Sequence, residues 1–473
     1  MQTRTKSYRV AVIITLLLFV SLTLVLASCD TGGTDNDPIN RIIFDPSEDS
    51  SVDTSSETAS TPEGYTETPV VEDIKNITPD TVVIAGTCED NATVTIGGGK
   101  NDVTVKSRNG YFVTEVILTN TTVTLLEATA EVDGKEPSEP LSFTASYNAT
   151  AEKRIDGYGV SIGPDSLLYF DTFLDNYTGE NLLTQTQLRN FKRSVNDRII
   201  NIENRASGQD VRLLYVLIPD VTSIYPEVFP ADIEKKSNTT RYKQISDALS
   251  QTGAGVIDMY DILKDAKENG EYEIFRKNDS HLTEYGGYLV YEQIALSLSA
   301  NFPEAAPRGL EEFTTKKVET IGGDLVSYLG INKQHYTEEV INLVPDFALN
   351  IGLQEDSGFS TVNIGDIKKY KSVKEPYDFS IYNKGEENAV GIRDRVIIRT
   401  DREELPSALI YRDDSLFMSM DIIAERFNNA MIGSIGDYTI NLTDASRHYS
   451  QGKRLVDYIV VIVSESNIES IMS

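Results

Sequence analysis

The stretch "VRLLYVLIPDVTSIY", Val211 to Tyr225, decides how this chain is read. An almost unbroken apolar run stopped by Pro219-Asp220 is the pattern of a short strand buried on both faces, not of one with a wet side. In an open parallel sheet the loop after such a strand lies on the edge where active sites form. Working outward, "TQTQLRNFKRSVNDRIINIENRA" before it and "RYKQISDALSQTG" after it have helical periodicity. "AGVIDMYDIL", "LPSALIYRDDS", "NAMIGSIG" and "VDYIVVIVSES" read as further strands, and "EYGGYLVYEQIALSLS" and "LFMSMDIIAERFNN" as helices. Short apolar strands alternating with helices predict an α/β domain over 155–473, a mostly parallel sheet with helices on both faces. Residues 335–400 are the least regular. There "FSTVNIGDIKKYKSV" and "DRVIIRTDREE" read as strands of an insertion or extension packed beside the sheet.

Composition narrows the partners. The 473 residues carry 73 acids against 43 bases, a net charge of −30, and no basic patch offsets it. Such a surface repels a phosphate backbone, so nucleic acid is excluded as a partner. A hydrophobic fraction of 40% is enough for real cores.

The N-terminus has the form of an export signal. Arg4, Lys6 and Arg9 precede the apolar run "VAVIITLLLFVSLTLVL", Val10 to Leu26, which ends in "LASC". Small residues before Cys29 resemble a lipoprotein lipobox. This predicts a signal peptide over 1–28, cleavage before Cys29 and lipid on its sulfur; a transmembrane anchor is the alternative. Residues 29–69 are expected to form a disordered acidic tether. Asp30 to Val70 hold ten acids and one arginine among Ser, Thr, Gly and Pro, leaving little to bury. The expected location is extracytoplasmic, lipid-anchored to the cell membrane. Cys88 is the only other cysteine, so the pair offers no zinc or redox motif, and no cofactor or metal is expected.

Residues 70–148 alternate apolar and polar side chains, with turn signals at EDN, GGG, RNG and VDGK, which predicts a small all-β sandwich. "VIAGTCEDNATVTIGGG" and "NGYF" resemble bacterial Ig-like domains, which implies a spacer or a sugar-proximal module.

Only three histidines occur, at 281, 335 and 448. His281 stands in "KNDSHLTEYGGY", Lys277 to Tyr288, two residues after Asp279 and at the head of a helical run. An Asp-x-His in a turn can hold an imidazole in one tautomer and stabilise its charged form. The blander reading makes Asp279 the cap of the following helix and His281 a surface residue.

Taken together, "GPDSLLYFD", "VLIPDVTSIYPEVFP", "NDSHLTEYGGYLVYEQI", "GGDLVSYLGI", "LPSALIYRDDSLFMSMDIIAERF" and "VDYIVVIVSESNI" resemble, in order, the blocks of the SGNH-hydrolase-like domain of the alginate O-acetyltransferase family, of the AlgX/AlgJ and DHHW-protein type. The family has its Asp-x-His before its serine, and here Asp279 and His281 precede Ser415. The resemblance implies an acyl-enzyme mechanism with Ser415 as nucleophile, His281 as base and Asp279 as its orienter. Arg412, Asp414 and Tyr225 are the accompanying candidates for substrate or oxyanion contacts.

The resemblance further implies O-acetylation of an exported or cell-envelope polysaccharide, with acetyl delivered by a membrane-bound multi-pass acyltransferase. Two alternatives stay open: an SGNH-type carbohydrate esterase, and a non-catalytic lipoprotein that binds glycan or a partner. The choice turns on the nucleophile. Aligned without a gap on Arg412-Asp413, Glu425 and Phe427, the serine slot falls on Asp414; a shift of one residue restores Ser415. Leu282 also stands where the family has an aromatic, and Asp220-Val221 where it has Asn-Lys.

Overall fold

The computed structural model describes residues 64–151, 159–206, 209–347, 352–356, 368–369, 395–400, 402–413, 415–416, 419–435 and 456–472. The expected signal peptide, Cys29, most of the tether, Asp414 and His448 lie outside the described residues. Among those described, no helix is long and apolar enough to cross a membrane.

The N-terminal part is two antiparallel sheets. Strands β1 (Val70–Thr78), β2 (Thr81–Thr87) and β5 (Tyr111–Ile117) form one, in the order β1-β2-β5. Strands β3 (Thr93–Gly97), β4 (Val103–Lys106), β6 (Val123–Glu131) and β7 (Leu141–Ser146) form the other, in the order β4-β3-β6-β7. Val82, Ile84, Phe112 and Val116 from the first meet Val94, Ile96, Leu126 and Phe143 from the second in one core.

The first sheet is also buried on its outer face. Val83, Ala85 and Val113, pointing the opposite way, enter the core of the α/β part. Tyr336 stacks on Tyr111 at 5.2 Å and donates its hydroxyl to Phe112 O at 3.1 Å. The sandwich and the α/β part therefore share buried surface, and β2 is buried at every position from Val82 to Gly86 where the expected alternation would have left one side exposed.

The α/β part opens with a hairpin, β8 (Val160–Ile162) and β9 (Leu168–Phe170), followed by helices α1 (Asp171–Thr178) and α2 (Gln185–Arg205). Its main sheet begins with β10 (Arg212–Ile218). Helix α3 (Val221–Ile224) follows, then α4 (Arg241–Leu249), β11 (Gly255–Asp258), α5 (Tyr260–Asn269) and α6 (Glu284–Ser299). A second hairpin, β12 (Phe313–Thr320) and β13 (Glu338–Pro345), encloses α7 (Asp324–Leu329). The remaining elements are β14 (Gly352–Asp356), β15 (Lys368–Lys369), β16 (Arg395–Arg399), β17 (Ser407–Arg412), α8 (Met420–Ala424), β18 (Asn429–Ser434) and β19 (Tyr458–Ser464).

The sheet order is β11-β10-β19-β17-β18-β16-β14-β15. The first five strands are parallel. Strands β16, β14 and β15 continue the sheet antiparallel. The expectation that 335–400 packs beside the sheet is corrected in part: β13 pairs with β12 outside it, while β14, β15 and β16 extend the sheet itself. An apolar strand such as "RVIIR" satisfies its backbone groups best by pairing with the open edge of β18.

The apolar runs divide as a two-sided sheet requires. Leu214, Val216 and Ile218 of β10 face one core, and Leu213, Tyr215 and Leu217 the other. Strand β19 splits the same way, with Val460 and Ile462 opposite Val461 and Val463. Each such aliphatic side chain contributes about 1.5–3 kcal/mol on burial. Helices α2 and α4 cover one face through Phe191, Val195, Tyr242 and Ile245, and α6 covers the other through Tyr291, Ile294 and Leu298.

Candidate active site

Strands β10, β19 and β17 are neighbours and parallel, so their C-terminal ends emerge side by side. The chain leaves β10 toward β11 and leaves β17 toward β18, in opposite directions, so a switch in strand order lies between them. Three buried carboxylates stitch these ends together. Glu465 Oε2 accepts the Asp220 N–H at 3.1 Å and the Ser223 hydroxyl at 2.7 Å. Asp220 Oδ1 accepts the Ser466 N–H at 3.1 Å, and Oδ2 accepts from Asn176 at 3.2 Å. Burial raises the Asp220 carboxyl well above its ordinary range, and the charge of Glu465 pushes it further; burial raises Glu465 as well.

Asp413, directly after β17, organises the candidate nucleophile. Its Oδ2 accepts from Ser464 N at 2.6 Å, Ser464 Oγ at 2.7 Å and Asn467 Nδ2 at 3.3 Å. Its Oδ1 accepts from Ser415 N at 3.0 Å and Ser415 Oγ at 2.5 Å.

The Asp-x-His turn comes from the loop before α6. His281 Nδ1 lies 2.5 Å from Asp279 Oδ1, and the His281 N–H donates to the same oxygen at 3.0 Å. An ionised carboxylate can only accept, so Nδ1 carries the proton and Nε2 is the basic nitrogen. Arg276 holds the other oxygen: its Nη1 donates to Asp279 Oδ2 at 2.7 Å. The same guanidinium reaches Glu338 Oε1 at 3.1 Å, Thr320 Oγ1 at 3.1 Å and Ile321 O at 2.9 Å. Burial alone would raise the Asp279 carboxyl, but His281 and Arg276 outweigh it and hold the group well below the usual carboxylate range.

The capping alternative fails on geometry. The cap of α6 is Thr283, whose side chain accepts from Gly286 N. Asp279 instead bonds His281.

A glycine lets α6, the helix after the Asp-x-His turn, pack on the segment that follows Ser415. A Cβ on Gly287, in the first turns of α6, would collide with Ser419 Oγ and touch Leu416 Cδ2. Helix α6 therefore packs directly on the segment that follows Ser415, which brings the His281 loop and the end of β17 to one side of the sheet.

The other named residues have structural partners. Arg412 is buried and donates from Nη1 to the Asp413 carbonyl at 3.0 Å. The Tyr225 hydroxyl donates to Glu273 at 3.2 Å, with Lys267 over its ring at 4.4 Å. Burial and Glu273 push that phenol up. Glu425 is a buried anchor, held by Arg308 at 3.1 Å, Arg402 at 3.0 Å and by Arg426. His335 belongs to the sandwich contact, with Nδ1 3.3 Å from Asp73 Oδ2.

Sequence reading missed Asp324, Arg276 and Asp413 as members of this network. Arg276 had a local signal, three residues before Asp279. Asp324 had only its "GGD" block, and its Oδ2 lies 3.9 Å from His281 Nδ1. Asp279, His281 and Asp324 bring ligand-type atoms within 4.8 Å of one another. Two ligand atoms on a tetrahedral zinc at its usual bond lengths lie roughly 3.3 Å apart, however. The 2.5 Å approach of His281 to Asp279 is that of a hydrogen bond.

Residues 175–358, within the α/β part of this chain, match the family described as the SGNH hydrolase-like domain of acetyltransferase AlgX. Among solved structures, Bacillus cereus PatB1 is similar at 13% identity over 66% of this chain and 97% of that one, with a TM-score of 0.45. A DHHW family protein of Eubacterium siraeum is similar at 13% identity over 73% and 94%, with a TM-score of 0.43. The O-acetyltransferase domain of Pseudomonas putida AlgJ is similar at 12% identity over 67% and 93%, with a TM-score of 0.38. No curated protein sequence matches the chain.

Proposed function

We propose that this chain is a membrane-tethered, extracytoplasmic O-acyltransferase that moves an acetyl group to a hydroxyl of an exported or cell-envelope polysaccharide. The observation that carries the reading is the His281–Asp279 hydrogen bond, 2.5 Å long, in a stretch that matches the AlgX-type domain and in the loop ahead of a helix packed against the segment after Ser415. In the reaction, His281 Nε2 takes the Ser415 proton as Oγ attacks the acetyl carbonyl. The imidazolium is stabilised by Asp279, and His281 returns the proton to the leaving group. A sugar hydroxyl, deprotonated by the same nitrogen, then attacks the acetyl-serine and frees Oγ. For this the Ser415 hydroxyl leaves Asp413, to which it donates at 2.5 Å. Water in place of the sugar would make the same site an esterase.

A lipid on Cys29 keeps the site near a membrane-bound acyl donor and the emerging polymer, and the acidic tether supplies reach. The sandwich would then serve as a module beside the glycan path.

One observation favours a second reading, a non-catalytic glycan- or partner-binding lipoprotein. The Ser415 hydroxyl is bonded to Asp413, and Asp414 fills the serine slot when the motif is aligned without a gap. The deciding experiment is mass spectrometry of the protein after incubation with an activated acetyl ester. Acetyl on Ser415, lost in His281→Ala, supports the acyltransferase. No adduct at any residue, with glycan binding intact, supports the second reading.

A further inference from the structure

A second carboxylate lies against the Asp279–His281 turn, and the proposed reaction does not use it. Asp324 opens α7 and grips Ser280, the residue between Asp279 and His281. Its Oδ1 accepts the Ser280 N–H at 2.9 Å and its Oδ2 accepts the Ser280 hydroxyl at 2.5 Å. The same Oδ2 stands 3.9 Å from His281 Nδ1, beyond a hydrogen bond but close enough for a strong charge interaction. This approach depends on Gly323, where a Cβ would collide with the Asp279 carboxylate. Two carboxylates thus face one edge of the imidazole, Asp279 bonded to it and Asp324 held off by its grip on Ser280.

We propose that Asp324 is a positioning residue for His281: it locks the Asp-x-His turn through Ser280 and adds a second negative charge that stabilises the imidazolium. The catalytic consequence rests on the proposed acyl transfer; the effect on the ring does not.

Among the described residues, the titratable groups facing Asp324 are Asp279 and His281. Arg276 pairs with Asp279 and Glu338. From the β8–β9 hairpin, packed on α7, Phe170 meets Tyr328 edge-on at 5.5 Å. Burial, and then the charge of Asp279, push the Asp324 carboxyl up to about 6, with His281 and Ser280 opposing. Above that pH Asp324 is anionic and favours the imidazolium; below it Asp324 is neutral and adds no charge. Asp324 Oδ2 and His281 Nδ1 stand 3.9 Å apart, so the two groups should titrate as a coupled pair.

The test is an NMR titration of the full chain carrying 13C-labelled histidine, with the His281 signal assigned by its loss in His281→Ala. The wild type should show two inflections. Asp324→Asn keeps an acceptor for Ser280 but removes the charge, and should move the His281 midpoint down by about one pH unit with a single inflection. A midpoint within about 0.2 unit of wild type overturns the proposal. If Asp324→Asn does not fold, the wild-type curve decides: two inflections support the proposal, and a simple one-proton curve overturns it. The titration needs no turnover, so a shifted midpoint in an inactive chain would refute the acyl-transfer reading and leave this inference standing.

Discussion

Ser415 gives both its backbone N–H and its hydroxyl to one oxygen of Asp413, at 3.0 and 2.5 Å, while the other oxygen takes three donors from Ser464 and Asn467. Asp413 and Ser464 are both buried, so removing the carboxylate leaves the Ser464 donors without an acceptor. Asp413→Ala should therefore cost on the order of 3–5 kcal/mol, read as a fall in the denaturation midpoint. A loss below about 1 kcal/mol would mean the network relaxes onto solvent.

If His281 and Ser415 act as one unit, each alanine variant should lower aryl-acetate turnover by about a thousandfold or more, and the double variant should be little worse than either. His335→Ala, which touches only the sandwich contact, should retain near-normal turnover. Activity surviving in Ser415→Ala but lost in His281→Ala would move the nucleophile elsewhere.

Glu284, buried in the first turn of α6, accepts the Leu343 N–H at 2.5 Å. Desolvation raises its carboxyl to about 8 despite that bond. A raised acid binds its proton more tightly in the folded state. The fold should thus be progressively penalised from pH ~4.5 upward, the cost levelling off above about 8. Glu284→Gln should stabilise the protein at pH 9, by on the order of 3 kcal/mol, and change little at pH 4. Equal stability of the two proteins at both pH values would show that the carboxylate is solvated in the folded chain.

Gly323→Ala should destabilise by about 1–3 kcal/mol and weaken any activity, because the added methyl displaces either Asp279 or α7. Urea denaturation and turnover, measured together, check both effects. A variant unchanged in both would mean that the two segments do not need this close approach.

Cys29→Ala should release the folded part from the membrane fraction or block processing of the leader. Recovery of the variant with membranes, at its processed size, would refute the lipid anchor.

The apolar patterning of the chain specifies its layers. Strands buried on both faces must be apolar at every position, so β10, β17 and β19 were legible as parallel strands, and the β alternation marked the sandwich. The Asp279–His281 pair was legible because two residues in a turn interact within one local segment. Tertiary structure decided the rest. Ser280 meets Asp324 across 44 positions, and Asp413 meets Ser464 across 51. No periodicity encodes such partners; they are selected by which strand ends lie together once the sheet is assembled. The same holds for the docking of the sandwich and for the pairing of β16 on β18, since an apolar face or edge states that it must be covered but not by what.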